Sequence, residues 1–221
     1  MNRINRIVFA AAVAAAGAPN ADATCRGTIG WGAWMEKNNT IRAEHGAAIN
    51  IDTTVLSSKP DTFVTHEMVY YIDGNCFHNV EVGVVDGWDG TRRSHQAVFW
   101  ADDRPNGGGF HEHYPAVSWR RGAYYQVKVV WAGNYSWNVY FGGVWLGRST
   151  GQYYRGTGRC LRAGVWGPAT YDGISEAAGH MYGWARKARN NVWYQDWDGK
   201  DFRAVCPADI EVSNDVTTEA L

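Results

Sequence analysis

The chain has 221 residues with 21 Lys plus Arg against 22 Asp plus Glu and no basic run, a balance that argues against a protein tracking a nucleic-acid backbone or lying on an anionic membrane. Only 19% of the residues are charged, whereas 12 Trp, 12 Tyr and 26 Gly make the chain aromatic and rich in turn formers. That composition excludes disordered, coiled-coil and collagen-like chains and points to an all-β globular protein.

Arg3 and Arg6 precede the apolar stretch 7–17, and small residues follow as far as Ala23. This is the grammar of a secretory signal peptide over residues 1–23, with an alanine-rich character that suggests a secreted bacterial protein. The apolar stretch is too short to cross a bilayer. Removing the leader leaves about 198 residues, enough for one domain with a sizeable core. Cys25, Cys76, Cys160 and Cys206 lack the close spacing of a zinc or redox site. In an oxidising compartment they are expected to form two disulfides, with three pairings open.

Residues 24–61 are expected to form an N-terminal extension packed on a β-sandwich domain over 62–206. From Thr62 onward, short runs of β-branched and aromatic residues alternate with Gly, Asn and Asp clusters, the spacing of a sandwich or barrel. Strands are predicted over 63–72, 77–85, 94–101, 109–115, 124–131, 136–141, 144–150, 159–166, 177–186 and 192–197. The clearest hairpin joins Phe141 to Val144 across Gly142-Gly143, a two-residue loop whose glycines accept the positive φ of a primed turn. Turns are expected at 72–75 and 86–90, with a longer surface loop over 102–109. Residues 207–221 are a C-terminal tail, of which 211–221 lack core-sized side chains in any period and read as frayed.

The chemistry sits on two of these strands. Side chains alternate across a strand, so Glu81 shares a face with Asn79 and Gly83 while Val80, Val82 and Val84 share the other. If the valines are core, Glu81 projects onto the opposite, solvent-reachable face, where an acid/base group belongs. Along 110–115, Glu112 lies with Phe110 and Tyr114, and His111 with His113 on the other side. The two histidines lack a third ligand, so no metal site is expected. There is no G-x-S-x-G elbow and no phosphate-cradling glycine loop, and no cofactor is expected. The Trp and Tyr content exceeds what so small a core can bury, so an exposed aromatic row that stacks on sugars or extended peptides is expected.

Ile72-Asp73-Gly74-Asn75-Cys76 followed by Val80-Glu81-Val82-Gly83 resembles the eqolisin-type acid peptidases, in which such a turn and cysteine lead into a strand bearing a catalytic side chain. Neprosin-like glutamic peptidases carry a glutamate at that position, and Thr91-Arg92 with the run Phe99-Trp100-Ala101-Asp102-Asp103 is similar to their order of motifs. The segments 125–131 and 137–142 resemble the same family's paired strands. The resemblance implies a single-domain antiparallel β-sandwich of the concanavalin-A-like jelly-roll kind, with Glu81 as a catalytic residue. It also implies a Cys76–Cys160 disulfide, which leaves Cys25 to pair with Cys206.

The family's second catalytic glutamate has no counterpart: the matching strand, from Cys160 to Trp166, offers Arg162 or Gly164. Glu112 is the replacement candidate, because His111-Glu112-His113-Tyr114-Pro115 resembles an eqolisin strand of the pattern Y-E-W-Y-P. Glu81 and Glu112 are therefore the expected catalytic pair, and in one cleft their like charges raise at least one carboxyl pKa. Asp73, Trp100, Phe110 and Tyr114 are the expected binding contacts. The reading is a monomeric secreted protein, non-catalytic or weakly catalytic, that binds an extended peptide or polysaccharide on its concave sheet, with no nucleic-acid or membrane partner. The alternative is an active acid endopeptidase using Glu81 and Glu112.

Overall fold

The computed structural model describes residues 30–38, 45–56, 63–72, 78–88, 94–105, 108–152, 160–168, 176–177, 181–195, 201–205, 210–212 and 218–220. The expected leader, Asp73 and three of the four cysteines lie outside the described residues, and with them both expected disulfides. The strands are β1 Gly30–Asn38, β2 Gly46–Asp52, β3 Val55–Leu56, β4 Phe63–Tyr71, β5 Asn79–Trp88, β6 Ser94–Arg104, β7 Gly109–His113, β8 Tyr124–Gly133 and β9 Ser136–Phe141. They continue with β10 Val144–Ser149, β11 Cys160–Pro168, β12 Glu176–Ala177, β13 Met181–Lys187, β14 Trp193–Tyr194, β15 Asp201–Val205, β16 Ile210–Val212 and β17 Thr218–Ala220.

Two antiparallel sheets face each other as a β-sandwich, the fold class that the sequence implies. The first runs β15-β1-β11-β4-β5-β6-β7 and the second β10-β9-β8-β2-β13-β17-β16, with β14 on β13. A small third sheet pairs β12 with β3. Period-two alternation decides which residues meet between the two main sheets. Val64, Met68, Tyr70, Val80, Val82, Val84, Val98 and Trp100 come from the first, and Ile49, Ile51, Val127, Val129, Trp137, Val139 and Phe141 from the second. The Tyr70 and Trp137 rings, 5.0 Å apart, join the layers at the centre.

The Gly142-Gly143 turn forms as expected. Both glycines have positive φ, 55° and 84°, and Phe141 pairs with Val144. Elsewhere the boundaries move. The strand over 94–101 continues to Arg104, because the charge of Asp102 is buried beside Arg104, whose Nε donates to Asp102 Oδ2 at 2.8 Å. Trp88, expected in a turn, ends β5 opposite Ser94.

The described residues of 24–61 include strands of both main sheets, β1 in the first and β2 in the second. β2 lies between β8 and β13 inside the second sheet, and Ala47, Ile49 and Ile51 are core. The alternation Ala47-Ala48-Ile49-Asn50-Ile51 is short and partly masked by small residues, which hides it in the sequence. The expected C-terminal tail likewise contains β16 and β17, paired at the edge of that sheet. If β2 is a core strand, Ile49→Ala costs about 2–5 kcal/mol in equilibrium denaturation, the range for truncating a buried aliphatic residue. A peripheral extension gives a far smaller loss.

Candidate functional site

Among the described side chains, the outward face of the first sheet carries Glu67 on β4, Glu81 on β5 and Glu112 on β7. Glu81 of β5 pairs with Val69 of β4 on one side and Ala101 of β6 on the other, and Ala101 pairs with Glu112 of β7. Directly paired residues share a face, so Glu81 and Glu112 stand in one row, two strand spacings or about 10 Å apart at the backbone. The structure adds Glu67. It lies on β4 one row along, opposite Gly83, diagonal to Glu81 and so about 7–8 Å from it between Cα atoms. The sequence reading missed it.

Gly83 is what allows the approach. A Cβ at that position meets the His66 carbonyl oxygen on one side and stands 2.8 Å from Glu67 Cβ on the other. The Glu81-Val82-Gly83 order therefore has a local reason: the glycine admits the β4 backbone, and Glu67 with it, against the strand that carries Glu81.

The floor around the glutamates is apolar. Val69, Tyr71, Val85 and Phe99 share their face and are buried, while Glu67 and Glu81 are half-buried and Glu112 is exposed at the β7 edge. Burial is accordingly the first cause acting on both inner carboxyls. It pushes Glu67 up to about 7, with the Thr65 hydroxyl opposing and the Glu112 charge adding to the rise. Glu81 is raised well above the usual carboxylate range, first by burial, then by the charges of Glu67 and Glu112. Asn79 Nδ2, which donates to Glu81 Oε1 at 3.0 Å, works against that rise and fixes the carboxyl. The expected mutual effect of Glu81 and Glu112 is thus present, but Glu67 weighs more on Glu81 than Glu112 does.

The proposed binding residues separate. Phe110 and Tyr114 are exposed on β7 and just beyond it, on the Glu112 side. Trp100 does not stand with them. It is 4% exposed and sits in the inter-sheet core, because Val98, Trp100 and Asp102 alternate away from Phe99, Ala101 and Asp103. Its indole packs closely over Gly147 of β10 and stacks on the His113 ring at 3.8 Å. That stack pins β7 to β6 from the inner side and so sets where Glu112 stands. Partial burial lowers the His113 pKa, against the pull of Asp102. Among the described residues no group of three or more metal-ligating side chains forms.

On the far side of β4, β11 places Gly164 opposite Glu67 and Arg162 opposite Val69. The two positions offered as counterparts of the missing glutamate therefore border the cluster, and Glu67 supplies a carboxyl one strand nearer Glu81.

No protein-family model matches the chain, and no curated protein sequence does. Solved structures do. Scytalido-glutamic peptidase with a peptide-based transition-state analogue superposes with TM-score 0.55 at 10% identity, over 88% of this chain and 98% of that one. The same peptidase with a transition-state-analogue inhibitor gives TM-score 0.58 at 10% identity, over 87% and 97%. At that identity the likeness establishes the fold: a concanavalin-A-like β-sandwich similar to eqolisin peptidases over most of the chain.

Two measurements test the site. Glu67 binds its proton more tightly folded than unfolded, so the folded state holds more protons between its ordinary pKa of 4.5 and about 7, and stability must fall as pH rises through that window. Glu67→Gln removes this contribution: melting curves from pH 4 to 8 become flatter by about 1–2 kcal/mol, a value reduced for the carboxyl's partial solvation. Gly83→Ala destabilises by about 1–3 kcal/mol through overpacking at the β4–β5 contact, read by denaturant titration.

Proposed function

We propose that the Glu67–Glu81–Glu112 face is an acid-catalytic site that hydrolyses an extended polymer laid across the first sheet, with a peptide as the favoured substrate. The observation that carries this reading is the pair of neighbouring half-buried carboxyls, both raised in pKa, on an apolar floor. Two such groups share a proton: one stays protonated into mildly acidic pH while the other ionises. The preference for peptide rests on the shape shared with the glutamic peptidases above.

In peptide hydrolysis the ionised carboxylate of the pair takes a proton from water as its oxygen attacks the carbonyl carbon. The protonated partner gives its proton to the carbonyl oxygen, so a neutral gem-diol forms. In the second half the newly protonated carboxyl passes its proton to the amide nitrogen and the C–N bond breaks. One diol hydroxyl then returns its proton to the other carboxylate, which restores the pair. Asn79 orients Glu81 throughout. Glu112, at the rim, acts as an electrostatic neighbour that holds both pKa values up, and Phe110 and Tyr114 flank the chain that enters over β7. This revises the pair expected from sequence: Glu67, not Glu112, is the partner of Glu81.

Digestion of denatured casein between pH 2 and 8 tests the assignment. Activity is expected only where one carboxyl of the pair is ionised and the other protonated, so it rises as Glu67 ionises at about 7 and falls again at higher pH as Glu81 loses its proton. Glu81→Gln and Glu67→Gln each lower kcat/KM by about 10²- to 10⁴-fold, the range for removing a general acid or base. Glu112→Gln retains activity but moves the alkaline limb to lower pH, because removing a negative neighbour lowers both inner pKa values. A second reading, polymer binding without turnover, is favoured by Arg162 and Gly164 standing where the family's other glutamate is expected. Peptide retention by wild type, with no cleavage at any pH, selects it.

A further inference from the structure

The outward face of the second sheet carries a different chemistry. Lys128 of β8 pairs with Tyr140 of β9, and Tyr140 with Trp145 of β10. In the next row Asn138 of β9 pairs with Arg148 of β10. Trp145 is 56% exposed, yet its indole is held: Nε1 donates to Asn138 Oδ1 at 3.4 Å, and the same oxygen accepts from Arg148 Nε at 2.9 Å. The Lys128 ammonium sits 4.6 Å above the Tyr140 ring. The cationic character continues across the sheet, where the Lys187 ammonium lies 6.0 Å from the Trp193 ring. Among β2, β8, β9, β10 and β13 the sole carboxylate is Asp52, which is buried and accepts the Thr54 N–H at 2.7 Å.

We infer that Trp145, Tyr140, Lys128, Asn138 and Arg148 form a second binding surface, separate from the carboxylate site, for an acidic polysaccharide whose sugars carry carboxylates. An exposed ring held over a sheet offers stacking area to the face of a pyranose. The ring is already oriented through Asn138, which reduces the ordering cost of binding. Lys128 and Arg148 stand on either side of β9, two strand spacings or about 10 Å apart in the sheet direction. A chain crossing β8 to β10 therefore passes the Lys128 charge and reaches Trp145 with Arg148 beside it on the same strand. Arg148 offers the planar fork that pairs with a carboxylate, and Lys128 a point charge. The protein as a whole is near neutral, and its opposite face presents the glutamates, so a dense polyanion such as a nucleic acid finds one favourable strip and no encircling field.

Native gel electrophoresis of the protein through polygalacturonate tests this, beside gels containing neutral hydroxyethylcellulose and single-stranded DNA. Wild type is expected to be retarded by polygalacturonate and by neither of the other two, with retardation falling as salt rises. Trp145→Ala and Arg148→Gln each weaken the apparent affinity by about tenfold, equivalent to about 1.4 kcal/mol, while Trp145→Phe keeps part of it and controls for folding. Glu81→Gln leaves retardation unchanged, so the outcome is independent of whether the carboxylate site is catalytic. No retardation in polygalacturonate overturns the inference, as does retardation that survives Trp145→Ala, or equal retention by single-stranded DNA.

Discussion

The antiparallel register of β4 with β5 is the constraint on which the rest of the molecule depends. With Tyr71 opposite Asn79 and Glu67 opposite Gly83, one set of alternate residues builds the inter-sheet core from Val64, Met68, Tyr70, Val80, Val82 and Val84. The other set brings Glu67 and Glu81 side by side. A slip of one residue exchanges the two faces, placing carboxylates in the core and valines outside. The cost of that exchange is large, since burying an ionised carboxylate without a partner is among the most expensive changes available to a fold. The hydrophobic core thus enforces the site: the valines fix the register, and the register fixes the carboxyl pair.

The same reasoning shows why part of the site is legible in the sequence and part is not. The alternation around Glu81 is readable because Val80, Val82 and Val84 form an unbroken valine stripe, and the structure buries all three. Glu67 carries an equally clean alternation, between His66 and Met68, but its partner strand is fixed only by the turn length. In the structure the Ile72 N–H reaches the His78 carbonyl at 2.8 Å and regular pairing begins at Asn79. That register, which the residues of either strand alone do not fix, is what brings Glu67 beside Glu81. Trp100 went astray for the opposite reason. Residue type, an aromatic beside a candidate acid, points to a binding contact, whereas its parity with Val98 places it with the core.

Charged residues blurred the strand ends in a similar way. Asp102 to Arg104 read as loop because a run of charge rarely sits in a sheet interior. The pair formed by Asp102 Oδ2 with Arg104, with the His113 imidazole at 4.0 Å from Asp102 Oδ1, offsets that charge on one oxygen and lets β6 run on to receive β7. β7 is the strand that carries Glu112, so an ion pair on the inner side of the sheet supports the rim of the outer face. β2 was hidden by small residues: Ala47 and Ala48 weaken the hydrophobic signal while allowing β8 and β13 to close on either side.

The two outer faces also divide the molecule's charge. A near-neutral total conceals a sheet whose outer side gathers Glu67, Glu81 and Glu112 and another whose outer side gathers Lys128, Arg148 and Lys187. Neither arrangement follows from a folding requirement. Crowding carboxyls on an apolar floor lowers stability at neutral pH, because each must either hold a proton or bear an unsolvated charge. Threonine or serine at 67 and 81 would satisfy the same strand positions at less cost. An exposed tryptophan pinned over a sheet likewise adds little to a fold whose core is already closed by Trp137 and Tyr70. Features that a sandwich does not need for folding, and that cost it stability or solubility, are the ones for which ligand chemistry supplies a reason.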